Sequence, residues 1–350
     1  MMKALLLSEY GRLEIVEVPM PRPGPEEVLV RVEACGICGS DVHGFDGSTG
    51  RRIPPLIMGH EAAGTISALG AGVTGFAEGA RVTFDSTLYC GTCHYCKRGE
   101  MNLCENRTIL GVSTPDFRRA GAFADYVVVP QRVLYDLPAT VEFNEAAMVE
   151  PLAVAVHAVA VTEMQKGATA LVVGAGMIGL LVMQVLKDAG CTSVIVTDID
   201  DTRLKLAQDL GATVTLNAKT FDVPAEVMKH TNGSGVDVAL EAVGSTPTIR
   251  TAIECVKKGG TVTLIGNVSP TAEIPLQMVV GRQLRLQGSA ASSGEYPKCI
   301  ELLASGAIKV KPLITAVAPL EDGASWFERL HSREPNLMKI VLSPRLGPKS

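Results

Sequence analysis

Aromatic side chains are scarce in this chain, at 4% of 350 residues with a single tryptophan. Its interior must therefore be filled by aliphatic side chains, and at 47% hydrophobic residues there are enough of them to bury sizeable cores. Long runs of one charge are missing, and so is any basic excess: 32 Lys and Arg face 37 Asp and Glu, a net charge of −5. A nucleic-acid binder needs basic patches to neutralise phosphates, so that class is excluded. High hydrophobic content with a small net charge likewise disfavours disorder. The start of the chain offers only Ala4-Leu5-Leu6-Leu7, too short an apolar run for the core of a secretory signal. Gly167 to Leu186 is long and apolar enough to suggest a membrane span. Gly174, Gly176 and Gly179 inside it mark a break between a strand and a helix instead. A soluble, cytoplasmic protein that binds neither nucleic acid nor membrane is expected.

What the sequence does have is glycine (35 residues) and cysteine (nine). In a reducing compartment the cysteines are read first as metal ligands or core residues. At roughly 100–200 residues per domain the length suggests two domains. Up to about residue 150, short apolar runs alternate with Gly and Pro: Val28–Val32, Gly64–Ile66, Arg81–Phe84 and Tyr126–Val129. Gly64, Gly70, Gly72, Gly75 and Gly79 suggest the turns and corners of a small barrel-like sheet. Beyond residue 152 the pattern becomes strand–helix alternation, with strands at Thr169–Val173, Ser193–Asp198, Val236–Leu240, Thr261–Ile265 and Leu284–Gln287. Helices are expected at Met177–Ala189 and Asp201–Leu210. This is the pattern of a parallel sheet covered on both faces. A helix at Tyr296–Leu303, the run Leu313–Val317, a helix around Trp326 and a strand Lys339–Leu342 complete the chain.

Cys90, Cys93, Cys96 and Cys104 form C-x2-C-x2-C-x7-C. Four thiolates separated by short loops can wrap a tetrahedral zinc with no open position. Disulfides fit a reducing compartment poorly, and the proline that follows the last cysteine of the bacterial iron–sulfur run is missing. A second set is scattered: Cys38, Ser40, Asp41 and His43, then His60 and Glu61, then Glu150. One Cys, one His and one or two carboxylates suit a zinc that keeps a position open for substrate. Singly, each has a plainer explanation: a small buried thiol, a core histidine, or an acid favoured by a helix N-terminus.

Leu171-Val172-Val173-Gly174-Ala175-Gly176-Met177-Ile178-Gly179 places G-x-G-x-x-G between an apolar strand and a helix. Asp198 ends the next strand, roughly 20 residues on, where an acid meets the ribose of a dinucleotide. An acid there accepts from the 2′-hydroxyl and repels a 2′-phosphate, which favours NAD; Arg203 nearby is the feature that would instead serve NADP.

With these motifs on the page, the chain closely resembles the zinc-dependent medium-chain dehydrogenase/reductase family over essentially its whole length. The matching residues are Cys35-Gly36-Ile37-Cys38-Gly39-Ser40-Asp41-Val42-His43, Gly59-His60-Glu61-Ala62-Ala63-Gly64, the four-cysteine lobe, Glu150-Pro151 and the Gly174–Gly179 turn. The resemblance implies a mixed α/β fold: a GroES-like β-rich catalytic domain over residues 1–152 and a Rossmann doubly wound parallel sheet over 153–294. Residues 295–350 return to the catalytic domain. It implies catalytic zinc on Cys38 and His60, completed by Glu150 or Glu61, and structural zinc on Cys90, Cys93, Cys96 and Cys104. Asp41 orients His60, and Ser40 and His43 relay the substrate proton. Gly174, Gly176, Met177, Ile178, Gly179, Asp198, Arg203, Val243, Ile265, Gly266 and Asn267 are the expected NAD contacts. Glutamate at 150 resembles the polyol branch: sorbitol, iditol and galactitol-1-phosphate dehydrogenases. Ser289-Ala290-Ala291-Ser292-Ser293 stands where sorbitol dehydrogenases carry Phe-Arg-Tyr, and Ala80 replaces an aspartate. The expected activity is NAD-linked oxidation of a secondary hydroxyl of a polyol or polyol phosphate, by a homodimer or homotetramer. A threonine or 2,3-butanediol dehydrogenase and a non-catalytic zinc-stabilised dinucleotide-binding protein are the alternatives. Arg51 and Arg52 are expected to be solvated, with a substrate phosphate as the other possibility, and Cys35, Cys191, Cys255 and Cys299 to be core residues.

Overall fold

Val28, Leu29, Val30, Val32 and Ala34 are all buried, which a strand achieves only with neighbours on both edges and cover on both faces. This strand, Glu27–Gly36, is central to the first of two units in a computed structural model that describes residues 1–347. The first unit comprises residues 1–150, 296–306 and 310 onward. Glu27–Gly36 pairs antiparallel with Glu61–Leu69 on one side. On the other side Tyr126–Pro130 takes its first half and Lys339–Ser343 its last two residues. Arg81–Phe84 and Leu134–Asp136 extend the sheet one way, and Ile314–Pro319 extends it the other, parallel to Lys339–Ser343.

A three-stranded sheet of Arg12–Val18, Met2–Glu9 and Leu56–Ile57 shares this core, contributing Leu5, Leu7 and Leu56 beside Val30, Met58 and Phe84. The few aromatic rings are concentrated there. Phe327 meets Phe123 edge-on at 5.7 Å and Phe45 at 5.9 Å. Gly64, expected at a corner, lies inside a strand instead. A Cβ there would stand 2.0 Å from the Arg31 carbonyl oxygen, so it is close strand approach that demands glycine.

The second unit, residues 151–295 and 307–309, contains one six-stranded parallel sheet. Its order is Val214–Asn217, Ser193–Asp198, Thr169–Val173, Val236–Glu241, Val256–Leu264, Arg285–Gly288, the doubly wound order of a dinucleotide-binding fold. Strand order reverses between Thr169–Val173 and Val236–Glu241, and ligands of such sheets bind beyond the carboxyl ends of the strands at that point. The long apolar run resolves into the strand Thr169–Val173 and the helix Met177–Asp188. Among the described residues no helix is long and apolar enough to cross a membrane.

The turn between that strand and helix depends on its glycines. Gly174 has φ of +99°, and a Cβ on Gly179 would lie 1.7 Å from the Gly174 carbonyl oxygen. Gly179→Ala should therefore push the helix off the strand, at a cost of about 1–3 kcal/mol in urea unfolding. Dinucleotide binding should weaken with it; a variant with parental midpoint and cofactor affinity would refute this packing role.

Candidate metal centre and dinucleotide site

Strand register builds the first cluster. Gly36 lies opposite Glu61 across the central pair. The chain leaving one strand at Cys38 therefore runs beside the chain entering the other at His60. Ligand atoms of Cys38, His60 and Glu61 all fall within 4.8 Å of one another. A Cβ on residue 36 would stand 2.2 Å from Glu61 Oε2, so glycine there leaves the carboxylate its place. The other neighbouring strand supplies Lys339, whose buried Nζ lies 2.5 Å from Glu61 Oε2 and 3.0 Å from the Ile37 carbonyl oxygen. Burial alone would depress the amine's pKa, but Glu61, Cys38 and Glu150 together more than offset it and Lys339 stays above its usual value.

Helix Gly39–Phe45 begins at Cys38 and brings round Ser40, Asp41 and His43. Asp41 is fully buried. Its Oδ2 accepts from the Cys38 N–H at 3.4 Å and faces His60 Nδ1 at 3.3 Å. Its Oδ1 accepts from Arg52 Nε at 3.1 Å and Nη2 at 2.9 Å. Burial pushes this carboxyl up, but the neighbouring His60 and the Arg52 guanidinium with its hydrogen bonds outweigh burial and hold it well below the usual range. His60 Nδ1 is enclosed and lacks an aligned hydrogen-bond partner. The one carboxylate beside it suits an Nδ1–H tautomer, which leaves Nε2 for a metal. A thiol, an imidazole backed by a carboxylate and a further carboxylate are a donor set that fits zinc.

Glu150, in the first turn of helix Val149–Ala160, is not among the gathered ligand atoms. Burial pushes its carboxyl up to about 7, His60 opposes the rise and Glu61 adds to it, so it stands within electrostatic reach of the cluster. The residue brought together with Cys38 and His60 is thus Glu61. Ser40 and His43 are exposed on their helix.

The four remaining predicted ligands form a lobe of their own. Sγ atoms of Cys90, Cys93, Cys96 and Cys104 lie within 4.8 Å of one another, and all nine cysteines are free. Cys90 Sγ accepts from the Thr92 hydroxyl at 3.5 Å and from the N–H groups of Thr92 and Cys93 at 3.4 and 3.3 Å. These donors pull its pKa down to about 5. Thiols held by amide donors at tetrahedral separations fit a closed zinc site.

At the glycine turn each glycine has a different surrounding. A Cβ on Gly174 would strike Val243 at 2.6 Å, whereas around Gly176 nothing lies within 4 Å. Open space over the N-terminus of Met177–Asp188, where Met177 and Ile178 begin the helix, is what a pyrophosphate needs. Gly266 abuts Val243 and Gly244, so Val243, Ile265, Gly266 and Asn267 border the same edge. Asp198 Oδ2 accepts from the Ala175 N–H at 2.6 Å, which anchors the acid to the turn itself. Arg203 approaches Asp200 at 4.0 Å.

Two expectations need correction. Arg52 is not solvated: it is 5% exposed and bound to Asp41, while Arg51 is exposed as expected. Cys35, Cys255 and Cys299 are buried, but Cys191 is only half-buried, with its thiol 3.8 Å from the Met164 sulfur. Lys339 escaped notice in the sequence, because a lysine opening an apolar strand reads as an edge residue. Removing it should leave Glu61 buried and unpaired. Lys339→Met is expected to cost about 3–5 kcal/mol in chemical unfolding, most of it recovered by Lys339→Met with Glu61→Gln. Parental stability of the single variant would show that the pair is not required.

Known proteins share this arrangement. A family model described as "Alcohol dehydrogenase GroES-like domain" matches residues 24–139, and one described as "Zinc-binding dehydrogenase" matches residues 178–305. A sorbitol dehydrogenase of Bacillus subtilis is 35% identical, over 98% of this chain and 97% of its own. A putative zinc-binding dehydrogenase of Sinorhizobium meliloti, solved bound to NADP, superposes with a TM-score of 0.90 at 34% identity, covering 98% of this chain and 99% of that one. Galactitol-1-phosphate dehydrogenase of Escherichia coli superposes at 0.91 with 27% identity, over 98% and 100%. With matches of this extent carrying the same two-part fold, the chain belongs to the zinc-dependent medium-chain dehydrogenase/reductase family, in its polyol dehydrogenase branch.

Proposed function

We propose that this chain oxidises a secondary hydroxyl of a polyol to the ketone, with zinc on Cys38, His60 and Glu61 and NAD on the glycine turn. The observation that carries the reading is the Cys38–His60–Glu61 cluster, with its carboxylate-backed imidazole, beside a helix turn presenting Ser40 and His43. The sorbitol and galactitol-1-phosphate dehydrogenases among its relatives support the substrate class. Zinc supplies Lewis acidity that eases loss of the hydroxyl proton, and NAD supplies the hydride acceptor.

The chain's own residues do the rest. Ser40 accepts the substrate hydroxyl proton, and His43, its i,i+3 neighbour on an exposed helix face, passes it toward solvent. Cys90, Cys93, Cys96 and Cys104 hold a second, structural zinc. Gly176 admits the pyrophosphate, and Asp198 accepts from the ribose 2′-hydroxyl. The proximity of Arg203 to Asp200 favours NAD over NADP. Arg52 has its donors engaged within the fold, which favours an unphosphorylated polyol. A homodimer or homotetramer is the proposed assembly; Leu276 and Val280, exposed on the helix before edge strand Arg285–Gly288, support it.

Zinc-loaded protein incubated with NAD should form NADH from free polyols, and phosphorylated polyols, threonine or butanediol should do no better. No NADH across that panel with both metals bound would overturn the reading. Metal analysis should find about two zincs per chain. Cys38→Ser should abolish turnover while NAD still binds, and Cys93→Ser should lose the structural ion. Retained turnover in Cys38→Ser would refute the catalytic assignment.

A further inference from the structure

Arg52 is a buried cation with four internal hydrogen bonds. Beyond its two bonds to Asp41 Oδ1, Nη2 donates to Ser40 Oγ at 3.2 Å and Nη1 to the Arg51 carbonyl oxygen at 3.1 Å. The fold is shaped to hold it there. A Cβ on Gly44 would stand 2.2 Å from Arg52 Cγ and 2.9 Å from its Cβ, so the side chain crosses helix Gly39–Phe45 where residue 44 has no side chain. Glycine inside a helix is unfavourable and needs a reason; room for Arg52 is one.

Two of its three partners, Asp41 and Ser40, belong to the proposed catalytic machinery. Asp41 turns its other oxygen to His60 Nδ1. Nε and Nη2 both hold Oδ1 while the Cys38 N–H holds Oδ2, so the carboxylate is fixed at both oxygens and the ring it faces inherits an orientation. Ser40 Oγ has one proton to give and two lone pairs to accept with. Arg52 fills one lone pair. What remains is one acceptor site and one donor, the pair that handing on a proton requires.

We propose that Arg52 is a positioning residue of the reaction, fixing the Asp41 carboxylate behind His60 and, with the same Nη2, the Ser40 hydroxyl. The substrate O–H bond then breaks as a new O–H bond forms on Ser40 Oγ. The serine's former proton leaves toward His43 or water, and the hydroxyl is regenerated. This rests on the reading of Cys38 and His60 as metal ligands and of Ser40 as first proton acceptor. Lysine cannot replace the fork, since a single ammonium cannot hold Asp41 and Ser40 in one plane.

The test compares Arg52→Met, Arg52→Lys and Gly44→Ala with the parent holoenzyme. The readouts are kcat, KM, the solvent deuterium isotope effect on kcat, NAD affinity and catalytic-metal affinity by chelator competition. Arg52→Met should lower kcat and metal affinity by about 10–100-fold, the usual loss when support behind a ligand is removed. Its isotope effect should rise, with KM less affected and NAD affinity unchanged; Arg52→Lys should recover only part. Gly44→Ala keeps the charge but evicts the stem, and should follow Arg52→Met. If Arg52→Met does not fold, Gly44→Ala decides alone. Parental metal affinity and isotope effect in the deciding variant overturn the proposal. Ser40→Ala and Cys38→Ser run alongside. If both lose turnover while Arg52→Met is parental, only the role of Arg52 fails; if either keeps full turnover, the functional reading beneath it fails.

Discussion

One strand pairing governs the first unit: Gly36 opposite Glu61. Shifting that register by one residue would send alternate side chains to the opposite face and separate Cys38 from His60. The same strand end pairs with Val341 on its other edge, which brings Lys339 level with the cluster. Three chain segments that are distant in sequence thus meet at one point, held by backbone hydrogen bonds and by the Lys339 amine that reaches Glu61 and the Ile37 carbonyl. Gly36 is the residue that lets them meet, because any side chain there would occupy the position of the Glu61 carboxylate.

The second unit follows another rule. Parallel strands end together, and the reversal of strand order beside Thr169–Val173 leaves a crevice that three glycines shape differently. Gly174 bends the chain, Gly176 leaves open space and Gly179 lets the helix lie against the turn. Asp198 is tied to that turn by the Ala175 amide, so the acid proposed to meet the ribose is hydrogen-bonded to the turn proposed to meet the phosphates.

The parts of this legible in the sequence are those whose information is local. Thr169–Val173 and Ser193–Asp198 match their expected bounds because an apolar β-branched run ends at glycine or acid. The cysteine lobe is legible because its ligands lie within one loop. Illegible were the contacts set by tertiary pairing: Lys339 meets a glutamate 278 positions away, and nothing around it marks a buried amine. Arg52 lies only 11 positions from Asp41, yet an Arg-Arg pair in a Gly- and Ser-rich loop looks like surface. Gly44 is accounted for only by the structure, where it lies in helix Gly39–Phe45 at the point the Arg52 side chain crosses. Gly64 misled for a related reason: composition says where glycine is, and only packing says whether it serves a turn or a close approach.

The two proposed metal sites differ in charge as well as in shape. Four thiolates around a divalent ion exceed its charge, and such a site is electrostatically closed as well as sterically full. At the other site each buried carboxylate has its own cation, Glu61 with Lys339 and Asp41 with Arg52. Burial raises the nearby Glu150 carboxyl to about 7, with His60 opposing the rise and Glu61 adding to it. A divalent ion held there would therefore keep more of its charge than one among four thiolates. A residual positive charge is what a Lewis acid needs in order to act on a hydroxyl. On this account the buried lysine and arginine do more than satisfy two carboxylates. They would keep the carboxylates from neutralising a bound ion, which is the difference between a zinc held as a brace and one held as a reagent.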